Sequence, residues 1–288
     1  MGLLMAWAVI ALAMSMSLMN FPDISMEGSM PLGAAIFAVA IKNTGSLALS
    51  VGLAMVGGSL VGATTAFIHS RFNLNKFLSA ILVTSVCYSL CLRILGTSNV
   101  GLFHEVSLFS YTKSLDNLIP YFHLGTILLL ALVLLVGGVI LMLAVKSRMG
   151  LRVRIAGSSP SFARSLGLNS SFYLIGGLAV TNAFSALSGA LLAMHQGFVD
   201  VGMSQGVLIL ALAGMTLGMR LMPERHISFH VYIFLSAILG SVVYQILIAY
   251  AVRLGLNPVD LKLATAVLVL VVVAMKFTRS DLSISESF

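Results

Sequence analysis

Long runs of apolar residues, separated by short polar segments, dominate the pattern along this chain. Several runs approach the roughly 20 residues that a helix needs to cross about 30 Å of hydrocarbon. The runs are continuous and lack the alternating ten-residue pattern of porin-type strands. They predict nine membrane-spanning helices, near residues 3–19, 29–41, 46–68, 77–95, 119–145, 170–194, 204–222, 228–252 and 259–276.

The composition agrees with this pattern. The chain has 288 residues, of which 59% are hydrophobic and 9% charged, and its mean hydropathy is +1.06. Soluble proteins average about half apolar and a quarter charged residues, so a soluble enzyme is excluded. We expect an all-α polytopic membrane protein, with residues 1–288 forming a single transmembrane domain. Its two cysteines, Cys87 and Cys91, fall on one face of one helix and do not form a cross-linked framework.

The basic residues predict the orientation of the spans, because cytoplasmic loops retain Lys and Arg. One arrangement uses all sixteen, with eleven inside and five outside. It puts the N-terminus and an outer loop at 96–118 outside, and a tail at 277–288 in the cytoplasm. The inner residues are Arg71, Lys76, Lys146, Arg148, Arg152, Arg154, Arg164, Arg220, Arg225, Lys276 and Arg279, and the outer ones are Lys42, Arg93, Lys113, Arg253 and Lys262. The net charge of +7 therefore fits contact with anionic membrane lipid, not nucleic acid.

A segment with two prolines, two glycines and two carboxylates follows the first span, and residues 20–33 read NFPDISMEGSMPLG. If the first span ends inside near Asn20, the second crossing must use residues 21–41, and the prolines predict a broken helix there. Transporters build sites near the membrane midplane from such helices. The candidate substrate-path or gate residues are Asp23, Ser25, Glu27, Gly28, Pro31, Gly33 and Arg93.

Alternatives stay open for the charged members of this set. Asp23 and Glu27 either mark a substrate path, because intramembrane carboxylates are costly, or lie at the cytoplasmic interface and cap helix ends. Arg93 either extends to the outer surface from the end of its span or faces the path as an anchor for a carboxylate.

The longest inner loop, residues 146–169, contains the signals of a short helix. Ser159 is a natural N-cap, Pro160 suits the first helical position, and Gly167 suits the left-handed residue after the end. Phe162, Ala163 and Leu166 are expected to share one face. Two turns of helix are unstable alone, so this helix must dock on a partner subunit or lie on lipid.

These segments resemble the permease subunits of ATP-binding-cassette (ABC) importers of the branched-chain amino acid and ribose type. The runs Phe21–Ser29, Leu32–Ala35, Arg93–Gly96 and Asn99–Val100 look most like the tryptophan/tyrosine permease branch. The inner loop is similar to the superfamily's coupling loop at Gly150–Arg152, Arg154–Gly157, Pro160, Phe162–Ala163 and Gly167–Asn169. The resemblance covers residues 3–276.

The resemblance implies the transmembrane subunit of an importer in a bacterial inner membrane, with aromatic amino acids as the first guess for the substrate. The implied partners are a cytoplasmic ABC ATPase dimer that binds ATP and Mg, a second permease subunit, expected to be an identical copy, and a periplasmic or lipid-anchored substrate-binding protein. The implied ATPase-coupling residues are Arg152, Arg154, Ser159, Pro160, Phe162, Arg164, Leu166 and Gly167.

The chain itself shows no sequence motif for energy conversion. It contains no Gly-Lys pair, so it lacks the end of a phosphate-binding P-loop. We expect no catalytic residue, metal or cofactor in this chain. Two other classes remain as alternatives: an ion-coupled secondary transporter, which needs coupling-ion sites, and a membrane-embedded lipid-modifying enzyme, which needs a catalytic cluster such as Asp23 with His69.

Overall fold

The chain folds into a helical bundle, with one small sheet at one end. A computed structural model describes residues 1–103, 105–112, 124–222 and 228–253, together with Leu263 and Val267. In chain order its elements are α1 (Gly2–Met19), α2 (Met26–Thr44), α3 (Leu47–Phe72), α4 (Lys76–Leu95), β1 (Asn99–Gly101), a 3-10 helix (Leu108–Thr112), α5 (Leu124–Lys146), α6 (Arg148–Ser158), α7 (Pro160–Ser165), α8 (Ser170–Gln196), β2 (Phe198–Asp200), α9 (Val207–Leu221) and α10 (Phe229–Arg253).

Within these described ranges, six helices are long and apolar enough to cross a membrane: α1, α3, α4, α5, α8 and α10. Their outer faces carry large exposed apolar side chains, such as Leu60 on α3 and Leu143 on α5. In water such faces would be unstable, whereas in a bilayer they contact lipid. The all-α membrane fold predicted from the sequence is confirmed.

The helices α1, α2 and α8 form the centre of the bundle. Helix α1 packs against α8, α9 and α10, and α2 packs against α3, α4 and α8. Fourteen of the 18 residues of α1 are buried. Helix α2 is less apolar than the six spans, and its neighbours are protein over most of its length, with 13 of its 19 residues buried.

Small residues allow these helices to approach closely. A side chain at Gly58 or Gly62 on α3 would collide with α8, and one at Gly189 on α8 would collide with the carbonyl oxygen of Met30 on α2. Gly218 on α9 lies equally close to α10. Lipid offers no hydrophobic drive for helix association, so such close van der Waals contact stabilises the bundle.

The two strands fasten the chain after α4 to the chain after α8. They pair antiparallel with Val100 opposite Val199, and the amide of Leu102 donates to the carbonyl of Gly197 at 2.7 Å. We call this end of the bundle the sheet end. Helices α6 and α7 lie between α5 and α8 at the other end, which we call the α7 end.

Eight of the nine predicted spans correspond to described helices, and the ninth, at 259–276, lies outside the described ranges. Two boundaries differ from the prediction. The run at 204–222 becomes α9 only from Val207, because residues 201–206 form turns after β2. The break in the second crossing lies at residues 20–25 alone, since α2 continues through Pro31.

Candidate functional site

The irregular segment between α1 and α2 is fixed in place. Helix α1 ends at Asn20, which adopts a left-handed conformation with a φ of 48°. The Lys76 ammonium donates to the carbonyl of Asn20 at 2.6 Å and lies 5.6 Å from the centre of the Phe21 ring. That ring is fully buried, and its centre lies 5.4 Å from the centre of the His69 ring, with the two rings nearly perpendicular. The break is therefore a packed structure, as irregular backbone at membrane depth must be.

Asp23 lies inside this segment and is only 2% exposed. One carboxylate oxygen accepts hydrogen bonds from the amide of Ser25 at 2.9 Å and from its hydroxyl at 2.5 Å. The other accepts from the side-chain amide of Asn182 on α8 at 2.6 Å. These three donors satisfy a buried carboxylate and connect the break to α8.

The position of Asn182 along α8 shows how far the Asp23 carboxylate lies from the ends of that helix. Asn182 lies near the middle of α8, which spans Ser170–Gln196. The hydroxyl of Ser185, one turn further along α8, donates to the carbonyl of Met26 at 3.1 Å. The first turn of α2 is therefore level with the middle of a membrane-spanning helix. The path-or-gate role of Asp23 and Ser25 stays a prediction.

Glu27, in the first turn of α2, contacts α9. Its carboxylate accepts from the amide of Leu208 at 3.1 Å, in the first turn of α9. Helix N-termini have free N–H groups and a positive partial charge, so a carboxylate stabilises them. Glu27 thus caps a neighbouring helix end, as the alternative interpretation expected, but it does so inside the bundle.

Pro31 changes the hydrogen bonding of the same turn. In a helix the amide of residue 31 would donate to the carbonyl of Glu27, and proline has no amide hydrogen. The hydroxyl of Ser204 donates to that carbonyl instead, at 2.6 Å. The proline therefore exposes an acceptor that holds the turns after β2, with no break in α2.

The other predicted path residues do not join Asp23. A Cβ at Gly28 would lie 3.0 Å from Cys87 and Thr84 of α4, and a Cβ at Gly33 would lie 2.5 Å from Ala186 of α8. Both glycines thus mark close helix contacts. Arg93 is exposed in the last turn of α4, at the sheet end. The path-or-gate role of Gly28, Pro31, Gly33 and Arg93 stays a prediction.

The sequence reasoning missed Asn182 and Ser204. Both lie more than 150 residues from their partners, and the only available signal was a lone polar side chain in an apolar or glycine-rich run.

The predicted coupling helix is α7. The Ser159 hydroxyl accepts from the amide of Phe162 at 3.4 Å, Pro160 occupies the first helical turn, and Gly167 has a φ of 72°. The start and end signals of this helix are confirmed. The loop also contains a second helix, α6, which the single-helix prediction for 146–169 omitted. It forms because Gly150 and Gly157 permit close packing against Val145 and Met19.

Only one residue of the apolar face predicted for α7 is buried against the bundle. Ala163 is fully buried, while Phe162 is 55% and Leu166 53% exposed, because the helix docks on the bundle through Ala163 alone. Arg164 is also exposed, and its guanidinium bonds the carbonyl of Pro160 at 3.3 Å. Two apolar side chains and one cation therefore project from a short, well-capped helix.

Beside α7 lies a cavity of about 550 Å³. Its wall joins the end of α3, at His69 and Asn73, to Pro160 and Arg164 of α7 and to Ser170 at the start of α8. The two remaining predicted coupling residues lie on α6, where the guanidinium of Arg152 donates to the Tyr173 hydroxyl at 3.1 Å and Arg154 is half-buried. Among the described residues, no group of three His, Cys, Asp or Glu side chains could hold a metal ion.

Comparison with known proteins agrees with this geometry. The family model described as the permease component of the branched-chain amino acid transport system matches residues 1–275. The chain belongs to this permease family. It is 32% identical, over 95% of its length and 88% of the relative, to the tyrosine transport system permease protein of Clostridioides difficile (strain R20291). It is also 26% identical, over 98% of its length and 96% of the relative, to an uncharacterized protein of Rickettsia prowazekii (strain Madrid E). No solved structure gave a significant match.

The family expected from the resemblance is thus confirmed. The chain is a multi-pass membrane protein and the transmembrane permease component of an importer.

Proposed function

We propose that this permease forms the translocation path for an aromatic amino acid such as tyrosine, and that a separate cytoplasmic ABC ATPase dimer drives it through α7. The substrate class rests on the relative of 32% identity, whose name specifies tyrosine transport. We further propose that a second copy of the chain completes the path and that a periplasmic or lipid-anchored binding protein delivers the substrate at the sheet end.

The observation that carries this proposal is the form of α7. The helix is capped by Ser159, docked through Ala163, and presents Phe162, Leu166 and Arg164 to solvent. An exposed aromatic and an arginine side by side are typical of the anchors that dominate protein interfaces. Because α7 also borders the cavity that reaches α3 and α8, a displacement of α7 would act on α3 and on the central helix α8.

In this proposal the Asp23 network is the part of the path that responds. It joins the break before α2 to α8, the helix that α7 precedes in the chain. A shift of α8 would therefore act on Asp23 and Ser25 through Asn182. Glu27 would move with α9, because it bonds the first turn of that helix.

Co-purification tests the coupling role. The tagged permease is expressed with a candidate ABC ATPase from the same organism, and the retained ATPase and its hydrolysis rate are measured. We expect Phe162→Ala and Arg164→Ala to reduce both. Phe67→Ala is the matched aromatic control, since Phe67 is 52% exposed on α3, and Arg253→Ala is the control for charge at the opposite end.

Equal ATPase retention in the α7 variants and in the controls would show that α7 is not the docking element. Such a result would leave the family membership intact and remove the proposed route of coupling.

A further inference from the structure

An apolar cavity of about 290 Å³ lies at the α7 end of the bundle, apart from both regions described above. It is enclosed by the last turns of α1 and α5, by α6 and by the first half of α8. Its lining is almost entirely apolar and includes Met14, Leu18, Leu141, Val145, Val153 and Gly177. A smaller pocket shares four of these residues and extends to His230 on α10.

Basic residues adjoin the lining of this cavity in the sequence. Lys146 ends α5, and Arg148, Arg152 and Arg154 follow on α6. The guanidinium of Arg152 is held at the rim, because it donates to the hydroxyl of Tyr173 at 3.1 Å and lies 5.9 Å from the centre of that ring, which itself lines the cavity.

No acidic residue balances these charges in the surrounding elements. The sequence has no Asp or Glu in α1 or anywhere from residue 124 to 199, which covers all four helices around the cavity. A ligand with a negative charge would therefore complement these four helices.

His230 lines the smaller pocket beside the cavity. Its Nε2 atom is buried and has no hydrogen-bond partner among the described residues. A buried polar atom without a partner is rare in native structures and points to a missing acceptor or donor.

From this arrangement we infer that the cavity binds an anionic phospholipid, with an acyl chain between α1, α5 and α8 and the phosphate on Arg152 and its basic neighbours. The level of the cavity fits, because Lys146 is the last residue of a membrane-spanning helix and the apolar lining lies in the turns just before it. Basic pockets between transmembrane helices on the cytoplasmic side suit anionic lipid headgroups. The inference requires only the membrane location of the chain and is independent of the ATPase and of the substrate.

Native mass spectrometry of the purified, delipidated full-length chain tests this inference. The chain is titrated with phosphatidylglycerol and, separately, with phosphatidylcholine of the same acyl chains. We expect one saturable site that prefers phosphatidylglycerol. Arg152→Gln should weaken phosphatidylglycerol binding about fivefold, because one basic residue near a headgroup contributes about that factor.

A second variant tests the acyl-chain part. Gly176 lines the cavity, and a Cβ there meets no atom within 4 Å, so the side chain of Gly176→Phe should occupy the cavity and abolish binding of both lipids. Gly52→Phe is the matched control, because a Cβ at Gly52 on α3 is equally free. Arg71→Gln is the charge control. Both controls should bind lipid as the unmodified chain does.

Three results would overturn the inference. Without a saturable site in the unmodified chain, another part of the protein fills the cavity. Equal affinity for the two lipids would remove the role of the basic rim. If Gly176→Phe bound lipid as Gly52→Phe does, the lipid would be bound somewhere else. Neither ATP nor substrate enters the measurement, so these results are distinguishable from a failure of the proposed function.

Discussion

At the scale of single residues, two hydrogen bonds across long stretches of sequence define the centre of this permease. Ser204 supplies the donor that Pro31 cannot supply to the carbonyl of Glu27, and Asn182 supplies a donor to the carboxylate of Asp23. Each bond joins the first turn of α2, or the break before it, to an element from the second half of the chain.

The exchange between Pro31 and Ser204 can be tested by a double-mutant cycle. Ser204→Ala leaves the carbonyl of Glu27 without its donor and should lower the free energy of unfolding by about 1–3 kcal/mol. In a Pro31→Ala background the new amide can bond that carbonyl, so Ser204→Ala should cost clearly less. Thermal unfolding in detergent gives the four stabilities. An equal cost in both backgrounds would contradict the exchange.

The Asp23 network gives a second prediction. Asn182→Ala removes a donor from a buried carboxylate and should destabilise the fold by at least about 1–3 kcal/mol. Asn43→Ala serves as the control, since Asn43 is exposed in the last turn of α2. The two variants are compared by their thermal unfolding midpoints. Matching midpoints would mean that the amide of Asn182 does not hold the carboxylate.

Sequence reasoning identified one partner in each of these two hydrogen bonds and missed the other. Asp23, Ser25, Glu27 and Pro31 stand out because charges and prolines are rare in apolar runs. Asn182 and Ser204 do not, because a single amide or hydroxyl is common in membrane helices and its partner depends on how the helices pack. Only the tertiary structure brings them to Asp23 and Glu27.

At the scale of elements, the close approach of α2 and α8 sets the geometry of the break. Small residues permit this approach, but their positions in the sequence do not reveal which helix each glycine faces. The α6 helix was missed for a related reason. Its glycines weaken a prediction from local propensity, while in the fold they permit contact with Val145 and Met19.

Two glycines of α8 provide a matched test of that packing. Gly189→Ala places a methyl group against the carbonyl of Met30 and should lower the free energy of unfolding by about 1–3 kcal/mol through overpacking. Gly176→Ala meets no atom within 4 Å and should be neutral or slightly stabilising, because alanine favours helix. Thermal unfolding of both variants measures the difference, and equal midpoints would contradict the close contact.

At the scale of the whole molecule, the basic residues predict that the α7 end faces the cytoplasm and the sheet end faces outward. The two native cysteines are buried, so they should react little with a maleimide and the labelling of an introduced cysteine can be detected. Asn99→Cys and Ser161→Cys place exposed thiols at the sheet end and the α7 end. A membrane-impermeant maleimide should label Asn99→Cys in cells whose outer membrane alone is permeabilised, and Ser161→Cys only after the inner membrane is opened. The reverse pattern would invert the orientation.

The fold class and the family could both be predicted from the sequence, because long apolar runs identify membrane spans. The assembly follows less directly, since the binding protein, the ATPase and the second permease are other chains. Their contacts depend on surfaces such as α7, where Phe162 and Leu166 are exposed.

The most direct test of the central claim is uptake of radiolabelled tyrosine into proteoliposomes that contain the permease with its ATPase. The binding protein is supplied on the side from which tyrosine is taken up. We predict uptake that requires ATP, is unaffected by dissipating proton and sodium gradients, and is lost in Phe162→Ala but kept in Phe67→Ala. Uptake that follows an ion gradient in the permease alone, without ATP, would contradict the account and support a secondary transporter.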